Sequence, residues 1–250
     1  MKTELNVPRG TSPKNRIVQR ILEHHLKISY SLWGVFMTED IKTAFKNAGI
    51  DLTDKQAIQF DAMTVFLQDY CTMVNLTAIR DREGIIEKHL VDSLLPLTLA
   101  DVGKESRCID IGTGAGFPAI PWLIYREDLR FILLDAQRKR TDYLTLLTEK
   151  LGIKAEIIHG RAEELGRKAG YRESCDVVTA RAVSDIPTLL KYSAPFLKKG
   201  GKLLAMRGSR DELNGDTEIL AEKLKLPLIA AKEYSLPKGD GRRLLIFVKK

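Results

Sequence analysis

A carboxylate followed by three alternating glycines, Asp110-Ile111-Gly112-Thr113-Gly114-Ala115-Gly116, is the stretch of this 250-residue sequence whose types and spacing speak most directly of chemistry. Alternating glycines let a backbone turn sharply and come close to a ligand where any Cβ would obstruct it. The spacing is Gly-x-Gly-x-Gly, not the Gly-x-Gly-x-x-Gly of a dinucleotide fold. Asp110 would repel a pyrophosphate and attract a cation such as an ammonium or sulfonium. Asp135 closes the next predicted strand, where one acid can accept both hydroxyls of a ribose; nicotinamide enzymes use the same device, so Asp135 supports a nucleoside without choosing it. After the third strand comes Arg161-Ala162-Glu163, where a loop would cover an adenine edge. Glu163 reads equally well as a helix N-terminal carboxylate favoured by the macrodipole. After the fourth, Thr179-Ala180-Arg181-Ala182 brings a guanidinium to the mouth of the cleft, a bidentate fork for a phosphate or a carboxylate. Upstream, Lys88 and Asp92 lie four residues apart with His89 beside them. By themselves they read as a surface ion pair and a satisfied helix histidine.

The elements that must position these residues fall into two regions, 1–99 and 100–250, divided at Ala100-Asp101-Val102-Gly103-Lys104-Glu105-Ser106. The first is a helical extension. A helix starts at Thr38-Glu39-Asp40 and stops at Gly49; Thr53-Asp54-Lys55-Gln56 fits a capping box. The helix that follows carries Phe60, Met63, Phe66, Leu67 and Tyr70 as one apolar stripe. Another is predicted from about Arg82 to Leu95, ended by Pro96, burying Ile86, Leu90 and Leu94. In the second region strands alternate with helices: Arg107–Ile111, Arg130–Asp135, Ala155–His159, Asp176–Ala180 and Lys202–Met206 are the strands, and helices reach to Tyr125 and span Arg138–Leu151, Arg161–Lys168 and Asp185–Leu197. This alternation predicts a parallel sheet covered on both faces. After a helix at about Glu212–Leu224, Pro227–Tyr234 and Leu244–Val248 flank a turn-rich Pro237-Lys238-Gly239-Asp240-Gly241 and must pair as an antiparallel hairpin. An α/β, Rossmann-like, mostly parallel sheet closed by an antiparallel C-terminal hairpin is the pattern of class I S-adenosylmethionine methyltransferases.

Composition narrows the setting. Apolar residues at 44% and charged residues at 29% are ordinary for a globular protein. Against 33 Asp and Glu stand 40 Lys and Arg, giving +7. The excess gathers at the ends, in Lys2, Arg9, Lys14, Arg16, Arg20 and Lys27, and in Lys232, Lys238, Arg242, Arg243, Lys249 and Lys250. This favours a polyanionic partner, although solvated surface charge accounts for it equally well. Cys71, Cys108 and Cys175 are odd in number and unpaired in spacing, as reduced core thiols are. His24, His25, His89 and His159 have no metal-ligand spacing, so no metal is expected. No segment has the length of apolar sequence that a membrane span requires, and the expectation is a cytoplasmic protein, with a monomer as the expected state.

Taken together, Asn75-Leu76-Thr77-Ala78-Ile79, Lys88-His89-Leu90-Val91-Asp92-Ser93-Leu94, Asp110 to Gly116 continued by Phe117-Pro118-Ala119-Ile120-Pro121, Leu134-Asp135 with Lys139-Arg140, Arg161-Ala162-Glu163 and Thr179-Ala180-Arg181-Ala182 closely resemble the RsmG or GidB family of bacterial small-subunit (16S) rRNA guanine-N7 methyltransferases. The resemblance runs from roughly Phe60 to Lys250. It implies S-adenosyl-L-methionine as cofactor, held by Gly112, Phe117, Ala162, Glu163 and Arg181 with Asp135 on its ribose, beside the loop residues Asp110, Gly114 and Gly116. It also implies that Asn75, Lys88, His89 and Asp92 line the side where the rRNA guanine enters, and that the partner is small-subunit rRNA or the 30S subunit. Two positions and one stretch depart from the family pattern: Ala119 stands for a glycine, Arg207 for a lysine, and Cys71-Thr72-Met73-Val74 lacks the usual polar residues before Asn-Leu-Thr. The rival readings are a methyltransferase acting on a small molecule or protein, an RNA-binding assembly factor on a methyltransferase fold, and a nicotinamide oxidoreductase. Intact Asp110, glycines and Asp135 argue against the second; the loop spacing and the hairpin argue against the third.

Overall fold

The computed structural model describes residues 38–208 and 215–250. Of these, Thr38–Lys250 form one compact unit. Its centre is a seven-stranded sheet in the order β3-β2-β1-β4-β5-β7-β6, made of β1 (Arg107–Ile111), β2 (Arg130–Asp135), β3 (Glu156–His159), β4 (Cys175–Arg181), β5 (Leu197–Gly208), β6 (Leu228–Ser235) and β7 (Gly241–Val248). The first five pair in parallel, and β7 runs antiparallel to both β5 and β6. The hairpin therefore closes the sheet as the sequence predicts. Chain order reverses between β1 and β4, which is where such a sheet opens a crevice at its carboxyl ends. The glycine loop follows β1 at that point.

Strand residues alternate between two cores, as period-2 side-chain geometry requires. Cys108, Phe131, Leu133, Val177, Leu204, Met206, Leu244 and Ile246 face one side. Ile109, Ile132, Leu134, Val178, Leu203, Ala205, Leu245 and Phe247 face the other. Against the first pack α1 (Glu39–Asn47), α2 (Asp54–Cys71), α3 (Arg82–Ile85), a π-helical stretch Ile86–Val91, α4 (Asp92–Leu99), α5 (Ala119–Tyr125) and α6 (Arg138–Leu151). Against the second pack α7 (Ala162–Leu165), α8 (Ile186–Ser193) and α9 (Gly215–Lys223).

Helices before residue 100 share this core with those after it. Phe45 stacks on Phe60 with centroids 4.9 Å apart, Phe66 on Tyr143 at 5.6 Å, and Trp122 Nε1 donates to the Ser93 carbonyl at 2.7 Å. The capping box forms: Thr53 N–H donates to Gln56 Oε1 at 2.9 Å and Gln56 N–H to Thr53 Oγ1 at 3.3 Å. Of the stripe on α2, Phe60, Met63, Phe66 and Leu67 are buried, and Tyr70 is partly so.

Some expectations need correcting; the helix predicted over Arg161–Lys168, for one, spans only Ala162–Leu165. The helix at Arg82 does not end before Pro96; it runs to Leu99 with Pro96 inside α4, after a π-helical stretch over Ile86–Val91. A π turn holds more residues than an α turn, so faces assigned at 3.6 residues per turn shift across it. Strand β5 is longer than Lys202–Met206 at both ends, because β4 pairs with it from Leu197 and β7 as far as Gly208, and the helix predicted over Asp185–Leu197 accordingly stops at Ser193. The three cysteines are free and buried, as expected.

Candidate functional site at the carboxyl end of the sheet

Local backbone geometry explains the glycine loop. Gly112, Gly114 and Gly116 all have positive φ, a region that L side chains avoid. Space matters as well at two of them. A Cβ on Gly112 would lie 2.9 Å from Val183 Cγ1, and one on Gly116 only 2.7 Å from Ile120 Cγ1. At Gly114 the nearest atom is 3.9 Å away, so this turn borders open space.

Two acids anchor the loop. Asp110 is fully buried; its Oδ1 accepts from Thr179 Oγ1 at 2.8 Å. The other oxygen, Oδ2, lies buried near Thr113 without a well-formed hydrogen bond, as does Thr113 Oγ1. Burial pushes the Asp110 carboxyl up to about 7. Asp135, at the end of β2, is nearly as buried. Its Oδ2 accepts from Gly114 N–H at 2.9 Å and faces Arg140 Nη1 at 3.3 Å; its Oδ1 accepts from Gln137 N–H at 2.8 Å. Asp135 thus braces the loop and the start of α6, with Arg140 sharing the oxygen that Gly114 uses.

A second cluster forms where the π-helical stretch meets β4 and the hairpin. The His89 ring stacks on Phe117 at 4.6 Å and 20°, and the Arg181 guanidinium lies over the same Phe117 ring at 5.0 Å. Arg181 Nη2 donates to His89 Nδ1 at 3.0 Å, and Nη1 reaches the Lys88 carbonyl at 3.2 Å and Asp92 Oδ2 at 3.4 Å. His89 Nε2 is 2.8 Å from Thr77 Oγ1. Burial first, and then the Arg181 charge, pull the His89 pKa down to about 3, so the ring is neutral. Asp92 is almost fully buried and is held on its other oxygen by Tyr234 Oη at 3.1 Å and Arg242 Nε at 3.5 Å.

The predicted site residues thus come together in part. Asp110 at the end of β1 leads into the loop of Gly112, Gly114, Gly116 and Phe117, which Asp135 braces from the end of β2; His89 and Arg181 meet it at Phe117, and Asp92 joins through Arg181. Lys88 does not pair with Asp92. Its Nζ meets Asp240 Oδ2 at 3.4 Å, while Asp92 turns inward to Arg181, and the surface pair expected from their spacing does not form. Asn75 is exposed and accepts from Arg80 Nη2 at 2.9 Å, outside the His89 cluster. Ala162 is buried at the start of α7, and Glu163 is exposed, raising the Tyr192 hydroxyl by a hydrogen bond. Thr77, Tyr234 and Arg242 carry contacts that sequence reasoning missed. Thr77 lies within Asn75-Leu76-Thr77-Ala78-Ile79, a motif that by itself assigns it no role, and nothing local marks Tyr234 or Arg242 as partners of Asp92, which lies far away in sequence.

The basic C-terminal residues are largely engaged inside the protein. Lys238 pairs with Glu83, approaches Glu87 Oε2 at 3.6 Å and gives its amide to Glu87 Oε1 at 2.8 Å. Arg243 meets Glu233 at 2.9 Å, Lys250 meets Glu222 at 3.2 Å, and Lys232 and Lys249 donate to the Leu99 and Leu224 carbonyls. The acids absent from the neighbouring sequence arrive from other elements. The N-terminal basic residues lie outside the described residues, as do His24 and His25. No helix among the described residues is long and apolar enough to cross a membrane.

Comparison with known proteins bears on the same stretch of chain. Among solved structures, a methyltransferase from Pyrococcus furiosus has a TM-score of 0.54 at 15% identity, covering 75% of this chain and 96% of its own. A SAM-dependent methyltransferase from Aquifex aeolicus has a TM-score of 0.50 at 16% identity, covering 66% and 93%. At such identities these likenesses establish the fold alone. Sequence relatives are nearer. Ribosomal RNA small subunit methyltransferase G of Streptococcus thermophilus is 37% identical over 219 residues, 85% of this chain and 91% of the relative. The protein of that name from Lactococcus lactis is 37% identical over 216 residues, 85% and 90%. The family described as GidB, rRNA small subunit methyltransferase G, matches residues 56–245, a span that takes in the glycine loop, the His89 cluster and Arg242 alike, and the chain belongs to that family.

Proposed function

We propose that this protein transfers a methyl group from S-adenosyl-L-methionine to N7 of a guanine in small-subunit rRNA. The relatives' name supplies the substrate class; the geometry supports the atom. His89 carries the argument: its ring stacks on Phe117 at the end of the loop, and both its nitrogens are committed, Nδ1 to Arg181 and Nε2 to Thr77. Asp92 is likewise committed, to Arg181, Tyr234 and Arg242. Neither His89 nor Asp92 is then a free general base. Guanine N7 needs none, because its lone pair is available at neutral pH and it sheds no proton on methylation. An exocyclic amine or a ribose hydroxyl would need one. Positioning alone can then supply roughly 7–11 kcal/mol of the barrier.

The residues fit the cofactor. The loop presents open space at Gly114, and below it lies Asp110, with one oxygen short of a hydrogen bond and a field that favours a cation. When bound, S-adenosyl-L-methionine supplies a methyl group on a sulfonium. Gly112, Gly114 and Phe117 would shape its wall, with Ala162 and Glu163 toward the adenine. Asp135 would meet the ribose with the acceptor capacity left by Gly114, Gln137 and Arg140. Arg181, at the end of β4, keeps Phe117 and His89 in place. Asn75 and Lys88 stand exposed on the guanine side. The partner is small-subunit rRNA or the 30S subunit, and a base in an unpaired segment offers its N7 edge more readily than one in the narrow deep groove of A-form RNA.

Mass mapping of rRNA from cells with and without the protein tests this reading. One 7-methylguanine should vanish from the small-subunit RNA in its absence; an unchanged map would reject it.

A further inference from the structure

The polarity of the hydrogen bonds around His89 follows from the guanidinium. Arginine has five N–H donors and no acceptor, so Arg181 Nη2 donates and His89 Nδ1 accepts across their 3.0 Å contact. The neutral ring then carries its proton on Nε2, which donates to Thr77 Oγ1 at 2.8 Å. The Ile79 amide donates to the same oxygen at 3.1 Å. A hydroxyl has two lone pairs and one proton. Both lone pairs of Thr77 are spent, and what remains is the proton, which no acceptor takes among the described residues. A free threonine hydroxyl rotates to donate or accept as its neighbour requires; Thr77 can only donate. Its side chain is part-buried and sits on the edge of the His89 ring opposite Arg181.

We propose that Thr77 is a specificity-determining residue, whose hydroxyl donates to O6 of the target guanine. The inference rests on the guanine-N7 reading above. Beside N7, guanine presents the acceptor O6, whereas adenine presents the donor N6 amino group. A group restricted to donating pairs with the first and meets the second donor to donor. The restriction is imposed through three side chains: Asp92 holds Arg181, Arg181 sets the His89 tautomer, and His89 with the Ile79 amide fills the lone pairs of Thr77.

The test crosses enzyme variants with substrates. Full-length wild type, Thr77→Val, Thr77→Ala and Thr77→Ser are assayed on small-subunit RNA carrying either guanine or 2-aminopurine at the methylated position. 2-Aminopurine keeps N7 and lacks O6. On guanine, Thr77→Val and Thr77→Ala should lower kcat/KM by about tenfold, the scale of one lost hydrogen bond in a shielded site, and Thr77→Ser should restore most of it. On 2-aminopurine, wild type should already be reduced, and removing the hydroxyl should cost nothing more. Calorimetric cofactor affinity close to wild type reports that each variant folds, and Thr77→Ala serves if the valine does not. Equal losses on both substrates, or no loss on guanine, would overturn the role of Thr77 while leaving the guanine-N7 reading intact. Absence of any transfer by wild type to small-subunit RNA would overturn both.

Discussion

Asp110 is fully buried behind the glycine loop and His89 is part-buried against Phe117, and the two respond to pH in opposite senses. Asp110 has a folded pKa of about 7 against an ordinary 3.8, so its contribution to stability is full below about pH 4 and is lost as pH rises through 7. His89, at about 3 against an ordinary 6.5, contributes above 6.5 and loses that contribution as pH falls toward 3. Between pH 4 and 6.5 the two partly cancel. Asp110→Asn keeps a partner for Thr179 and removes the buried charge. Thermal melts of the cofactor-free variant should therefore lie above wild type at pH 8 and fall more steeply below pH 6.5, while calorimetry should give at least about tenfold weaker cofactor binding. A melting point below wild type at pH 8 would contradict the burial argument. Residue type and spacing made Asp110, the glycines and Arg181 legible in the sequence, because a carboxylate before a glycine turn and a guanidinium at a strand end state their chemistry locally. They did not reveal that Asp135 spends acceptor capacity on Gly114 and Gln137, since those bonds depend on the loop's path.

At the scale of elements, the site depends on the π-helical stretch and the hairpin as much as on the sheet. Asp92 closes the stretch Ile86–Val91 and is the point where β4, through Arg181, and the hairpin, through Tyr234 and Arg242, meet. Asp92→Ala would leave Arg181 buried without its counter-charge. Breaking a buried pair in this way costs about 3 kcal/mol, to be read as a lower urea midpoint; Tyr234→Phe removes one hydrogen bond and should cost about 1 kcal/mol. Equal, small effects of both would show that Asp92 is not the junction. The parallel strands were legible as short apolar runs between turn signals, and the capping box at Thr53 as a local motif. The π-helical stretch was not legible, because the pattern of Ile86, Leu90 and Leu94 also suits an ordinary helix. Without it Lys88 and Asp92 appear to share a face, and Pro96 appears to be a stop.

On the scale of the whole molecule, the net charge of +7 is unevenly available. Basic residues near the C-terminus are occupied by Glu83, Glu87, Asp92, Glu222, Glu233 and Asp240; Glu233 and Asp240 stand in the same stretch of sequence, whereas Glu83, Glu87, Asp92 and Glu222 reach it only through the fold. Counting charges at the two ends therefore overstated what the second end can offer a polyanion. More of the phosphate contact is then expected of Lys2, Arg9, Lys14, Arg16, Arg20 and Lys27. Replacing Arg16, Arg20 and Lys27 with Gln should weaken RNA binding and flatten its dependence on log salt by up to about three phosphate contacts, while Arg242→Gln and Arg243→Gln should change that slope little. A slope that responds only to the C-terminal pair would reverse this assignment. The central claim is tested most directly by incubating the protein with methyl-labelled S-adenosyl-L-methionine and small subunits from cells lacking it, then digesting the RNA to nucleosides. The account predicts label in 7-methylguanosine, with none transferred to free nucleosides; label in any other nucleoside, or none in RNA, would contradict it.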